Sequence, residues 1–322
     1  MINKTFTSVS SRAPGKYIII GEHAVVHGEP ALAAPLDSLS SIATINPTQP
    51  NGSNGLSITA PDINLSDYLH SLHQNHPIAD IVRRTLLAIN YHDSLSANLT
   101  ITSTIPIASG LGSSASVSTA ISRSIVKFLN IPLTDNEISA IVYKTEELQH
   151  GNPSGIDNTV IAHEVPMLYS KVSPPKHLRP AQSLYYVLAD SKYPSNTIAT
   201  VDSFSKQRLL QSTLFDRNIR KIGKLARSAS IAFQDGDHTK LGTLMTKNHI
   251  LLQQLGVSTK QLDKLVNIAI EAGAKGAKLS GAGYGGHIIA QVSKQTMLTV
   301  ANALKATGTN PLTATIKPHS HE

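Results

Sequence analysis

The chain has 322 residues, of which 40% are apolar and 15% charged, and it contains no cysteine and no tryptophan. The absence of cysteine excludes disulfides, thiol nucleophiles and cysteine zinc sites. The sequence contains no run of 18 apolar residues, so no membrane span is expected. The net charge of +7 comes from scattered lysines and arginines, which favours a solvated basic surface over nucleic-acid binding. The opening residues lack the apolar stretch of a signal peptide, so a soluble cytoplasmic protein is expected.

In the first half of the chain, β-branched runs predict strands and apolar spacing of three and four residues predicts helices. Strands are predicted within 16–26, ending near Gly21, and at 35–47, 96–108 and 158–164. Helices are predicted at 78–89, 113–129 and 133–150. The stretch PTQPNGSNG, residues 47–55, has the composition of a hairpin loop.

The second half begins with SPPKHLRP, residues 173–180, whose three prolines predict a linker. Beyond it the patterns predict strands at 183–190, 277–280, 287–292 and 312–318, and helices at 200–256 with a break at DGDH, 259–273 and 295–308. This mixture favours an α+β fold over a doubly wound sheet. We predict domains at 1–178 and 179–322, with the last strand able to return to the N-terminal domain.

The stretch PIASGLGSSAS, residues 106–116, follows a predicted strand and opens a predicted helix. Gly110 and Gly112 would let the backbone approach a ligand, and the free N–H groups of a helix start attract anions. A P-loop is excluded because no lysine follows Gly112. A dinucleotide fingerprint matches at Gly110, Gly112 and Ala115, but no strand ending in an acid follows about 20 residues later. Phosphate binding and a plain helix start with small residues remain the two alternatives.

Two acidic residues flank the turn at GNPSGI. On a helix Glu146 would lie at the flank of the apolar side, whereas Glu147 would point to solvent. A partly buried Glu146 would need a cation, a metal or backbone donors. Asp157 ends the turn, where it could be a positioned base or an Asx-turn residue. Lys16 starts a strand, where it could be a charge for phosphate, a cationic partner of Asp157 or a surface lysine.

Taken together, these stretches resemble the GHMP kinases, a family that includes galactose, homoserine, mevalonate and phosphomevalonate kinases. Three motifs match in order: APGKYIIIGEHAVVHG at 13–28, PIASGLGSSAS at 106–116 and KLSGAGYGGHIIA at 278–290. The stretches GEHAVVHG, EELQHGNPSGIDN and SKYPSNT are most similar to family members that act on mevalonate. The resemblance implies a two-domain GHMP kinase fold, with a ribosomal S5 domain 2-like N-terminal domain and a ferredoxin-like C-terminal domain.

The resemblance also implies a reaction, the ATP-dependent phosphorylation of the 5-hydroxyl of mevalonate with Mg²⁺ as cofactor. The implied catalytic residues are Asp157 and Lys16, and the implied metal ligands are Ser114 and Glu146. The implied ATP-binding residues are Pro106, Ser109, Gly110, Leu111, Gly112, Ser113, Ser114 and Ala115. The implied substrate-binding residues are Lys16, Glu22, His23, Asp157, Thr197 and Gly283. A homodimer is compatible with this assignment, and neither a nucleic-acid nor a membrane partner is expected.

One position departs from the family pattern. Tyr284 stands where family members that act on mevalonate usually carry glycine, whereas galactose kinases tolerate an aromatic residue there. A tyrosine would be strained if the backbone at this position needs a positive φ. GEHAVV replaces the GEHTDY of galactokinases, which disfavours a sugar substrate. The nearest alternatives are a phosphomevalonate kinase and a family member that phosphorylates mevalonate at another position. A dinucleotide-dependent oxidoreductase and a basic nucleic-acid-binding module are more distant alternatives.

Overall fold

The computed structural model of the protein describes residues 7–48, 55–193 and 212–318. The chain divides into two units and passes between them several times. The first unit comprises residues up to Gly15, Leu39–Ile107 and Gly112–Glu164, and the second comprises Lys16–Ser38, Ala108–Leu111 and the residues from Val165 onward. No helix in these described ranges has the length and apolarity needed to cross a membrane.

Strands β1 (Val9–Ile20) and β2 (Ala31–Pro47) contribute residues to both units. In the first unit, β2 pairs antiparallel with β5 (Ala97–Ser103) over Ser41–Pro47. On its other side β5 pairs in parallel with β3 (Leu56–Ala60), which in turn pairs with β4 (Leu65–Tyr68). The prediction of a hairpin at 47–55 is therefore wrong, because β2 and β3 both pair with β5.

The helices of the first unit are α1 (Pro77–Ala88), α2 (Ser113–Leu129), α3 (Asp135–His150) and α4 (Ile156–His163). The predictions of α1, α2 and α3 are confirmed. Helix α3 begins with a capping box, in which Glu137 N–H donates to Thr134 Oγ1 at 3.3 Å and Thr134 N–H donates to the Glu137 carboxylate at 2.7 Å. The helices and strands enclose an aliphatic core that includes Ile45, Ile58, Ile81, Leu99 and Ile121.

The strand predicted at 158–164 is instead helix α4, so that prediction is wrong. Gly155 caps the helix with a φ of 84°, and Thr159 Oγ1 donates back to its carbonyl at 2.6 Å. The β-branched residues that predicted a strand are buried against α2 and α3. Burial of this face outweighs the weak helix propensity of threonine, valine and isoleucine.

In the second unit, β6 (Met167–Ser170) pairs with β2 over Ala31–Ala33 and with β7 (Ser173–His177). The segment predicted as a linker is therefore largely the strand β7. Among the described strands β7 pairs only with β6, and an edge strand tolerates the missing N–H groups of its two prolines. The predicted domain boundary between residues 178 and 179 stays a prediction.

A four-stranded antiparallel sheet forms the rest of the second unit, in the order β11-β8-β10-β9. Its strands are β8 (Leu184–Asp190), β9 (Gly276–Ser280), β10 (His287–Val292) and β11 (Leu312–Ile316). Because β11 pairs with β8, the last strand lies in this sheet and does not return to the N-terminal strands.

Four helices of the second unit share with this sheet a core that includes Phe215, Leu252 and Leu279. They are α5 (Ser212–Asp235), α6 (His238–Gln254), α7 (Lys260–Glu271) and α8 (Met297–Ala306). The predicted break at DGDH is confirmed, since Asp237 caps α6 by accepting from Lys240 N–H at 2.9 Å.

Candidate active site

The glycine–serine loop has a backbone that alternates in handedness. Ala108, Gly110 and Gly112 have φ values of 56°, 76° and 77°, whereas Ser109 and Leu111 between them are not left-handed. Such alternation directs neighbouring N–H groups into a concavity that binds anions. Helix α2 begins at once with Ser113, and no side chain caps it. A loop of this conformation before a helix start is suited to phosphate.

Three consecutive carbonyls of this loop are held within the second unit. His287 Nδ1 donates to Ser109 O at 3.0 Å, Lys16 Nζ to Gly110 O at 3.1 Å, and Lys16 N–H to Leu111 O at 2.9 Å. Lys16 is 3% exposed, so the alternative of a surface lysine is excluded. The backbone of the loop is thus held by the buried side chains of Lys16 and His287 and by the strand amide of Lys16.

The remaining residues predicted for the nucleotide differ in exposure. Pro106 is exposed, whereas Ala115 is buried inside the first unit. Ser113 Oγ donates to Ile105 O at 3.5 Å, a long hydrogen bond. The contacts of Pro106, Ser113 and Ala115 with ATP stay predictions.

Ser114, at the start of α2, meets Glu146, in the last turn of α3. The Ser114 hydroxyl donates to the Glu146 carboxylate, and Gln149 Nε2 donates to Ser114 Oγ at 2.8 Å. His150 Nε2 lies 3.7 Å from Glu146 Oε2. The predicted burial of Glu146 is confirmed, since it is 5% exposed, while Glu147 points outward and pairs with Lys144 at 2.8 Å.

These residues give the first unit two oxygen ligands of the kind that Mg²⁺ prefers, a hydroxyl and a carboxylate. The structure therefore brings together Ser114 and Glu146, the pair predicted to bind the metal. In the described ranges, no group of three or more histidine and acidic side chains forms a metal cage. Mg²⁺ in nucleotide sites is commonly held by one or two protein ligands and the phosphates, so two protein oxygens fit this ion.

Asp157 lies in the first turn of α4 and is half-buried. The next residue, Asn158, anchors α4 to α3 by donating to Ser139 O at 3.1 Å and to its hydroxyl at 2.9 Å. A side chain on a helix held in this way has a fixed direction, which suits a catalytic group better than a mobile turn does.

Glu22 forms a buried ion pair that the sequence analysis did not anticipate. Its carboxylate meets Lys278 Nζ, and Asn248 Nδ2 donates to its other oxygen at 3.2 Å. Glu22 and Lys278 are 1% and 0% exposed. Burial raises the pKa of Glu22 and lowers the pKa of Lys278, and the charge of each partner opposes the effect on the other. A lone lysine on an otherwise apolar strand was the only sequence signal for this pair.

His23 occupies a strained backbone conformation next to this pair. Its φ of 61° and ψ of −45°, with Ala24 N–H donating to Glu22 O at 2.6 Å, define a γ-turn. His23 Nε2 donates to Ala282 O at 3.0 Å, so Nε2 carries the proton. Burial lowers the pKa of His23 to about 4, which leaves the ring neutral at physiological pH. Strained residues of this kind are typical of functional sites.

Comparison with known proteins assigns these motifs to a family. Residues 79–163 match the GHMP kinases N terminal domain, and residues 229–310 match the GHMP kinases C terminal domain. A mevalonate kinase of Thermococcus sibiricus is 33% identical, with 96% of each chain covered. A mevalonate kinase of Pyrococcus abyssi is 34% identical, with 94% of each chain covered.

The chain belongs to the GHMP kinase family. The solved structure of L. major mevalonate kinase in complex with R-mevalonate is similar throughout, with 29% identity, 99% of each chain covered and a TM-score of 0.83. The predicted two-domain GHMP kinase fold is thereby confirmed.

The glycine loop of the third motif, Gly281–Gly286, is closely packed. Gly283 has a φ of 80°, and a Cβ atom there would lie 2.2 Å from Val257 O. Tyr284 has a φ of 57°, so this tyrosine lies in the left-handed region, and its N–H donates to Val257 O at 2.9 Å. The Tyr284 ring packs on the core of the second unit.

The substrate contacts predicted for this GHMP kinase stay predictions. Glu22 has both carboxylate oxygens bonded within the protein, and Gly283 is a position of tight packing. Thr197 lies outside the described residues. Gln149 and Asn248 were not predicted, because nothing in a single sequence distinguishes them from ordinary polar residues. Lys278 and His287 lie within the third motif, but their contacts with Glu22 and Ser109 join residues far apart in the chain.

Proposed function

We propose that this GHMP kinase transfers the γ-phosphoryl group of ATP to the 5-hydroxyl of mevalonate, giving 5-phosphomevalonate and ADP. The observation that carries this proposal is the alternating backbone handedness of the loop at Ala108–Gly112, together with the hydrogen bond between Ser114 and Glu146. The choice of acceptor is supported by relatives that bear the name mevalonate kinase along nearly their full length.

The loop would bind the β- and γ-phosphates through backbone N–H groups. Three of its carbonyls are already engaged by Lys16 and His287, so the amides need little reorganisation when the nucleotide arrives. Preorganised donors of this kind stabilise the charge that phosphoryl transfer spreads over the equatorial oxygens.

Ser114 and Glu146 would hold Mg²⁺ through the hydroxyl and carboxylate oxygens. When bound, the ion neutralises charge on the phosphates. Gln149 donates to Ser114 Oγ at 2.8 Å and so orients the hydroxyl that would bind the ion.

Asp157 would accept the proton of the attacking hydroxyl. A bond forms between the C5 oxygen of mevalonate and the γ-phosphorus, the bond from that phosphorus to the β–γ bridging oxygen breaks, and ADP leaves. Lys16 would stabilise charge on the transferred group, from its position against the Gly110 carbonyl. A cytoplasmic location and a homodimer remain predictions beside this mechanism.

The deciding experiment is a coupled ADP-release assay on the purified protein with mevalonate, phosphomevalonate, galactose and homoserine. We expect turnover with mevalonate to exceed that with each of the others at least a hundredfold. Faster turnover of phosphomevalonate would reassign the acceptor within the family, and the absence of ADP release with all four would reject the proposal.

The metal ligands are tested by Glu146→Gln, with Glu147→Gln as the matched control on the exposed side of the same helix turn. We expect Glu146→Gln to raise the Mg²⁺ concentration for half-maximal rate about tenfold or more. The control should leave it unchanged. An equal Mg²⁺ requirement in both variants would argue against Glu146 as a ligand.

A further inference from the structure

We propose that His287 is a positioning residue that sets the affinity of the glycine–serine loop for the nucleotide phosphates. Its Nδ1 donates to Ser109 O at 3.0 Å, in the middle of the segment with alternating backbone handedness. This inference rests on the proposed ATP-dependent function and concerns the same loop.

The donor is unambiguous because a carbonyl oxygen only accepts. His287 Nδ1 must therefore carry a proton, whichever state the ring is in. The residue is 3% exposed, and burial lowers its pKa, an effect that the nearby Asp190 carboxylate opposes. The hydrogen bond persists in the neutral ring, provided that Nδ1 and not Nε2 holds the hydrogen.

His287 is held more rigidly than a loop residue would be. It is the first residue of β10, where it pairs with Asp190 of β8 on one side and Ser280 of β9 on the other. Its ring therefore projects from the interior of a four-stranded sheet, and its position does not depend on the nucleotide loop that it contacts.

Peptide planarity links this contact to the ligand. The carbonyl of Ser109 and the N–H of Gly110 belong to one trans peptide group, so they point in opposite directions. Holding the Ser109 carbonyl on His287 therefore turns the Gly110 N–H away from the sheet. Lys16 acts in the same way on the next two peptide groups through Gly110 O and Leu111 O. His287 thus orients the N–H of Gly110, and Lys16 orients the N–H groups of Leu111 and Gly112.

Three substitutions separate the hydrogen bond from the bulk of the side chain. His287→Asn places an amide N–H close to the position of Nδ1, whereas His287→Gln places it near Nε2, and His287→Leu has no donor. The dissociation constant of a non-hydrolysable ATP analogue is measured by calorimetry, together with KM for ATP, KM for mevalonate, kcat and the melting temperature. His249→Gln controls for general destabilisation, because His249 is a buried histidine of the same unit whose Nδ1 accepts from Leu279 N–H.

We expect His287→Leu and His287→Gln to weaken binding of the analogue about tenfold, the range of one lost hydrogen bond. His287→Asn should stay within about twofold of the parent protein, and KM for mevalonate should change less than KM for ATP in all three. His249→Gln should leave analogue binding unchanged.

The inference is overturned if Gln and Leu variants that fold bind the analogue as tightly as the parent protein, or if Asn is no better than Leu. Equal losses for ATP and mevalonate would also overturn it, because they would indicate a general structural defect. A parent protein that binds no nucleotide would reject the proposed function itself, an outcome separate from a parent that binds ATP irrespective of residue 287.

Discussion

The two glycine loops of this protein have similar compositions but need glycine for different reasons. In the loop at Ala108–Gly112, positive φ values alternate with ordinary ones, and a Cβ atom on Gly110 would meet nothing nearer than Gly281 Cα at 3.8 Å. In the loop at Gly281–Gly286, residues 283 to 286 all have positive φ values. A Cβ atom on Gly283 would lie 2.2 Å from Val257 O.

The difference indicates that Gly110 is required for the direction of its backbone, and Gly283 for the space that it leaves. Substitutions in the first loop should therefore change nucleotide affinity more than stability, and those in the second loop should change stability first. A glycine-rich motif alone does not distinguish the two roles, whereas the distances around each Cβ position do.

Asp157→Ala should slow the phosphoryl-transfer step without altering either glycine loop. Asp157 lies on α4, so both loops should keep their conformations. We expect kcat to fall by about 10²–10⁴-fold with a modest change in KM, because a positioned base contributes that much. Steady-state kinetics with a melting curve checks this. A loss below about tenfold in folded protein would reject Asp157 as the base.

Gly283→Ala should give the largest loss of stability. Left-handed backbone costs an alanine about 1–3 kcal/mol, and overpacking against Val257 O adds about 1–3 kcal/mol. Gly308→Ala is the matched control, since Gly308 has a φ of 88° and nothing lies within 4 Å of its Cβ position. Urea unfolding of both variants isolates the contact. Equal losses in the two would show that Gly283 does not need the space.

Gly110→Ala should weaken ATP binding more than it lowers stability. Its stability cost should match that of Gly308→Ala, because Gly110 also has a positive φ and only ordinary contacts. The backbone can relieve the strain by rotating the peptide groups that face the phosphates, so KM for ATP should rise about tenfold. Unchanged KM for ATP alongside the expected destabilisation would remove the distinction between the loops.

Most secondary structure could be predicted because periodicity and capping agree, as in α3, where Thr134 and Glu137 mark the helix start that the structure contains. Helix α4 and strand β7 could not be predicted. Their local composition favours strand and linker, and only packing against α2 and α3, or pairing with β6 at a sheet edge, reverses that preference.

In the candidate site, too, some residues could be predicted from local pattern and others could not. Glu146 could be placed at a buried flank from helical spacing, and the loop at Gly110 from its glycines. The long-range partners of the site residues could not be predicted. His287 contacts Ser109 O across 178 residues and Lys278 contacts Glu22 across 256 residues, and no local pattern predicts such contacts.

Tyr284 gives the finest test of the second loop, and the smallest expected effect. The sequence marked it as a departure from glycine, and the structure shows a φ of 57° with the ring packed on the core. Tyr284→Gly relieves about 1 kcal/mol of left-handed strain but loses a similar free energy of apolar burial. The free energy of unfolding should therefore change by less than about 1 kcal/mol. Tyr284→Val should cost more, because a β-branched residue is least tolerant of positive φ. Urea unfolding of the two variants decides between strain and packing. A valine variant as stable as the glycine variant would mean that this position can leave the left-handed region, and that Gly283 alone sets the shape of the loop.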